Sequence, residues 1–303
     1  MVSSLEPAAD PRTSGMFANP IQVRGPDGPW EAVREAVSRH GSALVHARMD
    51  DWLPTDLSDP GLPARLGPDQ VRFRRMRHPT VRARFVASRL MLKHTAGAVV
   101  GESADALELA YKLGGRPYLR GFEQLDISLS HTADLLVVGL TRRGWIGVDA
   151  ELSDRQMVGL GTEPQMCTWH ERAELERIAE EHRNSALVRL WTLKEAYSKA
   201  IGQGMRFRFT EFGFGPQEQQ AQDVLLPDGS PGTGEEWTFH TAPLQQRYTV
   251  SIALYDAGFG ETGDGAQALR VEDGLLAELL GGSAGRPAVR HDHHPTARRE
   301  PPV

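Results

Sequence analysis

The chain has 303 residues, 40% hydrophobic and 24% charged, with a formal net charge of −6; this suits a soluble globular protein, long for one small domain and ample for two. The negative balance argues against general nucleic-acid binding, and the lone Cys167 excludes an intramolecular disulfide and reads as a buried small apolar residue. No run reaches the roughly 18 apolar residues of a membrane span, and residues 1–16, with Glu6, Asp10 and no apolar core, make no signal peptide, so the expected location is cytoplasmic, with no membrane partner.

Residues 1–40 are rich in Pro, Gly and Ser and read as a partly disordered N-terminal extension. Residues 42–47 (SALVHA) read as a short strand. Residues 81–99 read as a helix, with Phe85, Leu90, Leu92 and Ala96 on its apolar face. Strands are expected at 127–129, 135–140 and 145–149. Residues 164–182 and 185–201 read as two amphipathic helices, the second stopped by Gly202. Strands return at 236–240 and 248–254. From 258 to 303 the chain turns to Gly, Ala, Pro and charge, a mostly disordered tail with one short helix at 272–280. The strands LLVVGL (135–140) and YTVSIAL (248–254) each close a helix-rich half, a weak hint of internal duplication.

Several stretches can carry chemistry. Between Val71 and Gly101 there is no acidic residue, while Arg72, Arg74, Arg75, Arg77, Arg82, Arg84, Arg89 and Lys93 are basic. Such a run is either a solvated face or an anion site, phosphate above all. In Gly147-Val148-Asp149-Ala150-Glu151, strand alternation turns Asp149 and Glu151 to one side. The pair is either a solvated edge or a seat for a hard cation such as Mg²⁺. On a helix, Trp191, Glu195 and Lys199 fall at i, i+4 and i+8; the last two are either an exposed ion pair or a metal ligand and a phosphate cation. Ser128-Leu129-Ser130-His131-Thr132 sets hydroxyls and an imidazole at a strand end, and Gly114-Gly115-Arg116-Pro117 is either a plain turn or a close backbone approach that presents a cation. There is no G-x-S-x-G elbow, no P-loop and no C-x-x-C, and His291, His293 and His294 sit in the polar tail.

Basic helix, GRPYL, SLSHT, GVDAE and WTLKEAYSKA occur in that order, the last two about forty residues apart. This resembles the Sfp-type 4′-phosphopantetheinyl transferases from about Arg72 to Phe214. The resemblance implies an α+β fold of two similar, pseudo-twofold-related α/β subdomains, 41–144 and 145–257, in a monomer. It implies transfer of 4′-phosphopantetheine from coenzyme A to a serine of an apo acyl or peptidyl carrier protein of polyketide or nonribosomal peptide synthesis. The alternative is a non-catalytic coenzyme A or carrier-binding protein of the same fold. Asp149, Glu151 and Glu195 match the family's Mg²⁺ ligands, with Mn²⁺ as a substitute. Lys199 matches its diphosphate lysine, with Lys194 nearby in role. Ser130 and His131 match its phosphate contacts, Arg116 and Pro117 its Gly-Lys-Pro segment, and Arg72 and Arg84 its 3′-phosphate cations. Arg116 replaces a lysine and Ser128 an asparagine of the family pattern. Glu195 is expected to take the hydroxyl proton, directly or through a water, and Arg206 and Arg208 are candidates for carrier docking.

Overall fold

The computed structural model describes residues 20–204, 207–215, 223–232 and 236–258. In chain order the first half contains β1 (Ile21–Gln22), α1 (Trp30–His40), β2 (Ser42–Arg48), α2 (Leu62–Leu66), α3 (Gln70–Arg75), α4 (Pro79–Val100), β3 (Leu109–Tyr111), β4 (Pro117–Leu119), β5 (Asp126–Thr132) and β6 (Leu135–Thr141). The second half contains β7 (Gly144–Leu152), α5 (Glu163–Met166), α6 (Trp169–Arg177), α7 (Glu180–Ala200), β8 (Trp237–Leu244) and β9 (Tyr248–Asp256). The result is an α+β fold with a four-stranded sheet, β1-β2-β6-β5, a three-stranded sheet, β7-β9-β8, and the small ribbon β3-β4. All pairings are antiparallel except β1 with β2.

Each larger sheet is covered by one long helix. α4 buries Phe85, Val86, Leu90, Met91 and Leu92 in the core of the first half, beside Val45, Ile127 and Val138. α7 buries Leu187, Leu190, Leu193 and Ala196 beside Phe214, Phe239 and Ala253. Full burial of such a side chain contributes about 1.5–3 kcal/mol, so neither helix depends on its intrinsic propensity. A third apolar cluster joins Leu44, Leu135 and Val137 of the first sheet to Ile146, Val148 and Ile252 of the second.

Two expectations are corrected. Residues 20–40 are part of the fold: α1 buries Val33 and Val37, one helical turn apart, and ends at Gly41, whose φ of 71° suits the left-handed cap. The expected helix over 164–182 is three pieces. Thr168 accepts from the Glu171 amide while the Glu171 carboxylate accepts from the Thr168 amide, a capping box that starts α6 afresh. Extended backbone at Ile178 and Ala179 then separates α6 from α7. The expected helix at 272–280 lies outside the described residues.

β5 and β7 lie side by side in different sheets, joined by side chains rather than by a backbone ladder. Alternate residues of β5 supply the acceptors: Asp126 Oδ2 takes the Ile146 amide at 2.7 Å, Ser128 Oγ the Val148 amide at 3.0 Å and Ser130 Oγ the Ala150 amide at 3.2 Å. The period of two along both strands makes this repeat possible. It satisfies a strand edge that would otherwise be buried without partners.

α7 packs closely on β7 at Gly147. A Cβ on Gly147 would stand 1.8 Å from the Ala196 carbonyl oxygen and 2.6 Å from the Ala200 nitrogen. Gly147→Ala therefore has to push α7 away from β7. Overpacking of this kind costs about 1–3 kcal/mol, so we expect a lower urea midpoint together with weakened ligand binding in the cleft beneath α7.

Candidate active site

The α7 stripe foreseen from its spacing faces β7. Trp191, Glu195 and Lys199 line one cleft of about 460 Å³ with Asp149 and Glu151. The helix runs against the strand, so Lys199 meets Asp149 while Trp191 meets Arg155, just beyond Glu151. Lys199 Nζ donates to Asp149 Oδ1 at 2.7 Å, Val148 O at 3.0 Å and Ser130 Oγ at 3.1 Å, using all three ammonium hydrogens. Ser130 Oγ in turn donates to Asp149 Oδ1 at 2.7 Å. Thr132 Oγ1 donates to Glu151 Oε1 at 2.7 Å, and Arg155 pairs with the other Glu151 oxygen.

Glu195 is different. No protein donor reaches its carboxylate among the described residues. Burial, and then the Asp149 charge, push its pKa above the ordinary carboxylate value, with Lys199 opposing. Three carboxylates of hard oxygen donors thus share one cleft, two on a strand edge and one across from them, and a divalent cation is the group that would relieve their proximity. Among the described residues no three such side chains already stand as a cage, and Lys199 and Arg155 are paired with Asp149 and Glu151. The donor set fits a hard cation once those two ammonium and guanidinium groups give way.

The opposite wall is basic. Arg72 of α3 and Arg89 of α4 line the cleft with His131. Arg89 is fixed from three sides: its Nε is 3.3 Å from the buried Asp69 carboxylate, its guanidinium lies 4.4 Å from the Phe85 ring centroid, and Tyr111 lies 5.9 Å away. Tyr111 donates to Asp69 at 2.5 Å, and burial lifts its pKa to about 12, so the phenol stays neutral. His131 is exposed and opens to the cleft; the bulk of protein beside it, and the Arg84, Lys199 and Arg89 charges that face it, hold its pKa below the ordinary imidazole value.

The expected set is thus only partly assembled. Asp149, Glu151, Glu195, Lys199, Ser130, His131, Arg72 and Pro117 line the cleft. Arg84 is not among its lining side chains; Arg89 is, and Arg84 acts on His131 only through its charge. Arg116 lines an adjoining recess of about 160 Å³ with Gly114 and Gly202. Its guanidinium is spent inside the protein, on Asp126, the Ala200 carbonyl and the Ile146 carbonyl, so it presents no free cation. Lys194 is the clear correction. It is fully buried, its three ammonium hydrogens shared among Glu171 at 2.7 Å and the carbonyls of Met166, Phe209 and Phe212 at 2.6–2.8 Å. Burial pushes Lys194 down and Glu171 up, but these contacts satisfy both charges. Five residues along a helix rotate a side chain by about 140°, which turns Lys194 to the core and Lys199 to the cleft. Sequence reasoning gave no role to Arg155, Tyr111 or Asp69. Only Arg89, in the acid-free run, left a signal. Arg206 lies outside the described residues, and Arg208 is exposed beside Glu211. A larger groove of about 680 Å³, lined by His182, Ser185, His240 and Thr241 among others, has no carboxylate on its walls.

Known proteins share part of this chain. A model described as the 4′-phosphopantetheinyl transferase superfamily matches residues 146–253, from β7 into β9. These residues form a 4′-phosphopantetheinyl transferase superfamily domain. The domain holds Asp149, Glu151, Glu195 and Lys199, while Ser130, His131, Arg72 and Arg89 come from the segment before it. Among relatives of the chain, a Synechocystis sp. protein is 29% identical over 198 residues, covering 64% of this chain and 79% of that protein. The 4′-phosphopantetheinyl transferase HetI of Nostoc sp. is 30% identical over 152 residues, covering 48% and 62%. The 4′-phosphopantetheinyl transferase of Bacillus subtilis is 20% identical over 188 residues, covering 62% and 81%. No described helix is long and apolar enough to cross a membrane.

Two outcomes follow from the charges. Lys194→Met leaves the Glu171 carboxylate unpaired in the core, which costs about 3–5 kcal/mol. We expect a large drop in urea stability, partly restored in the double variant Lys194→Met/Glu171→Gln. In an NMR pH titration, the resonance lost in His131→Gln should have its midpoint below 6.5. A phosphate-bearing ligand at His131 favours the charged ring, so coenzyme A should move that midpoint up and bind more tightly as pH falls through it.

Proposed function

We propose that the protein transfers the 4′-phosphopantetheine group of coenzyme A to a serine hydroxyl of an apo carrier protein, releasing adenosine 3′,5′-bisphosphate, as an Sfp-type enzyme. The observation that carries this reading is the meeting of Asp149, Glu151, Glu195 and Lys199 in one cleft with a basic wall, inside a superfamily domain. The finer reading includes two pseudo-twofold halves with coenzyme A between them, a cytoplasmic monomer, and acyl or peptidyl carriers of polyketide or nonribosomal peptide synthesis as partners.

In the reaction the serine oxygen forms a bond to the β-phosphorus of coenzyme A while the phosphoanhydride bond to the leaving bisphosphate breaks. Such a transfer needs positioning and charge neutralisation more than covalent assistance. Asp149, Glu151 and Glu195 would hold Mg²⁺, which when bound neutralises the diphosphate. Lys199, already ordered by Ser130 and the Val148 carbonyl, donates to a diphosphate oxygen as charge builds on it. Arg72, Arg89 and His131 bind the remaining phosphate. Glu195, a carboxylate lining the cleft beside Lys199, is the group placed to accept the serine proton, directly or through a water.

Intact-mass spectrometry of an apo carrier protein with the full chain, coenzyme A and Mg²⁺ tests this. We expect a mass gain of one phosphopantetheinyl group, lost with EDTA and in Asp149→Ala, and slowed about 10²–10⁴-fold in Glu195→Gln. No gain with peptidyl, polyketide and fatty acid carriers alike would count against the reading.

A further inference from the structure

Glu151 is held in a made-to-measure seat. Oε1 accepts from Thr132 Oγ1 at 2.7 Å and from the Leu152 amide at 2.9 Å, while Oε2 is ion-paired with Arg155. The Arg155 guanidinium lies over the Trp191 indole, 5.3 Å from the ring centroid. The backbone behind it is pinned: Asn184 Nδ2 donates to the Arg155 carbonyl at 2.9 Å, and Asn184 Oδ1 accepts the Met157 amide at 2.8 Å. A guanidinium set between an indole face and a carboxylate has fewer positions open to it than an arginine without partners, even where one side meets water. Trp191, which supplies that face, is on the same α7 stripe as Glu195 and Lys199 and lines the same cleft.

We propose that Arg155 is a positioning residue that competes with the divalent cation for Glu151, closing the donor set while no cation is bound and turning away from Glu151, with a change in its stacking on Trp191, when one enters. The inference rests on the cation reading of Asp149, Glu151 and Glu195. Its physical basis is direct. A carboxylate oxygen engaged by a guanidinium cannot give the same lone pairs to a metal, and a fixed positive charge at contact distance repels a second one. The side chains of Arg155 and Glu151 are 43% and 14% exposed. A pair so open to water is worth little, so the competition should shift cation affinity by about two- to five-fold. A mere brace for Glu151 would act the other way, since its loss would loosen the ligand and weaken binding.

The test is titration of the full-length protein with Mn²⁺ alone, without coenzyme A, following free Mn²⁺ by electron paramagnetic resonance. Arg155→Gln should bind about two- to five-fold more tightly than the natural chain, Arg155→Lys should return toward it, and Asp149→Asn should lose binding. Mg²⁺ should also change tryptophan emission in a saturable way, a signal absent in Trp191→Phe and in Arg155→Gln. Binding by Arg155→Gln that is equal or weaker, with Asp149→Asn still impaired, overturns the competition and leaves the cation site standing. Binding by the natural chain no better than by Asp149→Asn removes the cation site itself, and the inference with it.

Discussion

The site depends on the side-chain seam between β5 and β7. Asp126, Ser128 and Ser130 take the amides of Ile146, Val148 and Ala150 in turn. Each bond contributes only about 0.5–1.5 kcal/mol net. Their combined effect is register: a slip of one residue would set Ile127 and Leu129 against amides that they cannot accept from, leaving those amides unpaired. The same seam that joins the two sheets therefore fixes Ser130 beside Asp149 and Thr132 beside Glu151. The first half of the chain orients the carboxylates of the second.

On this frame the cleft is a balance of charges close together. Lys199 and Arg155 each sit on a carboxylate of β7, and among the described residues Glu195 is left without a donor. Across from them Arg72 and Arg89 face the cleft, with Asp69 holding Arg89 from behind. A ligand carrying both a divalent cation and phosphates can exchange partners with every one of these groups. A neutral ligand of the same size has no such exchange to offer.

Much of this was legible in the sequence, for identifiable reasons. Strand alternation in 147–151 and helical spacing from Trp191 to Lys199 placed these side chains on the faces that meet in the cleft, because both periods are fixed by backbone geometry. What failed was phase and distance. Lys194 and Arg84 each lie five residues from the lysine or arginine that lines the cleft, so charge alone could not separate Lys194 from Lys199 or Arg84 from Arg89. Asp69 and Tyr111 meet across 42 residues of chain, a pairing that no local pattern encodes. α1 was missed because its two buried valines follow a Pro- and Gly-rich stretch that masks the period.

The burial of Lys194 has a consequence for the irregular segment that contains Phe209 and Phe212. Both residues give their carbonyl oxygens to the Lys194 ammonium, and the Phe214 amide goes to Glu171, the partner of that same ammonium. The segment therefore works as a strap cinched around an ion pair rather than as a loop hung between two elements. Its order comes from that charge together with the buried rings of Phe209, Phe212 and Phe214, and it should loosen when α6 and α7 come apart. Sequence change is consequently free along its outward side chains and constrained at its backbone, the reverse of what a surface connection usually shows.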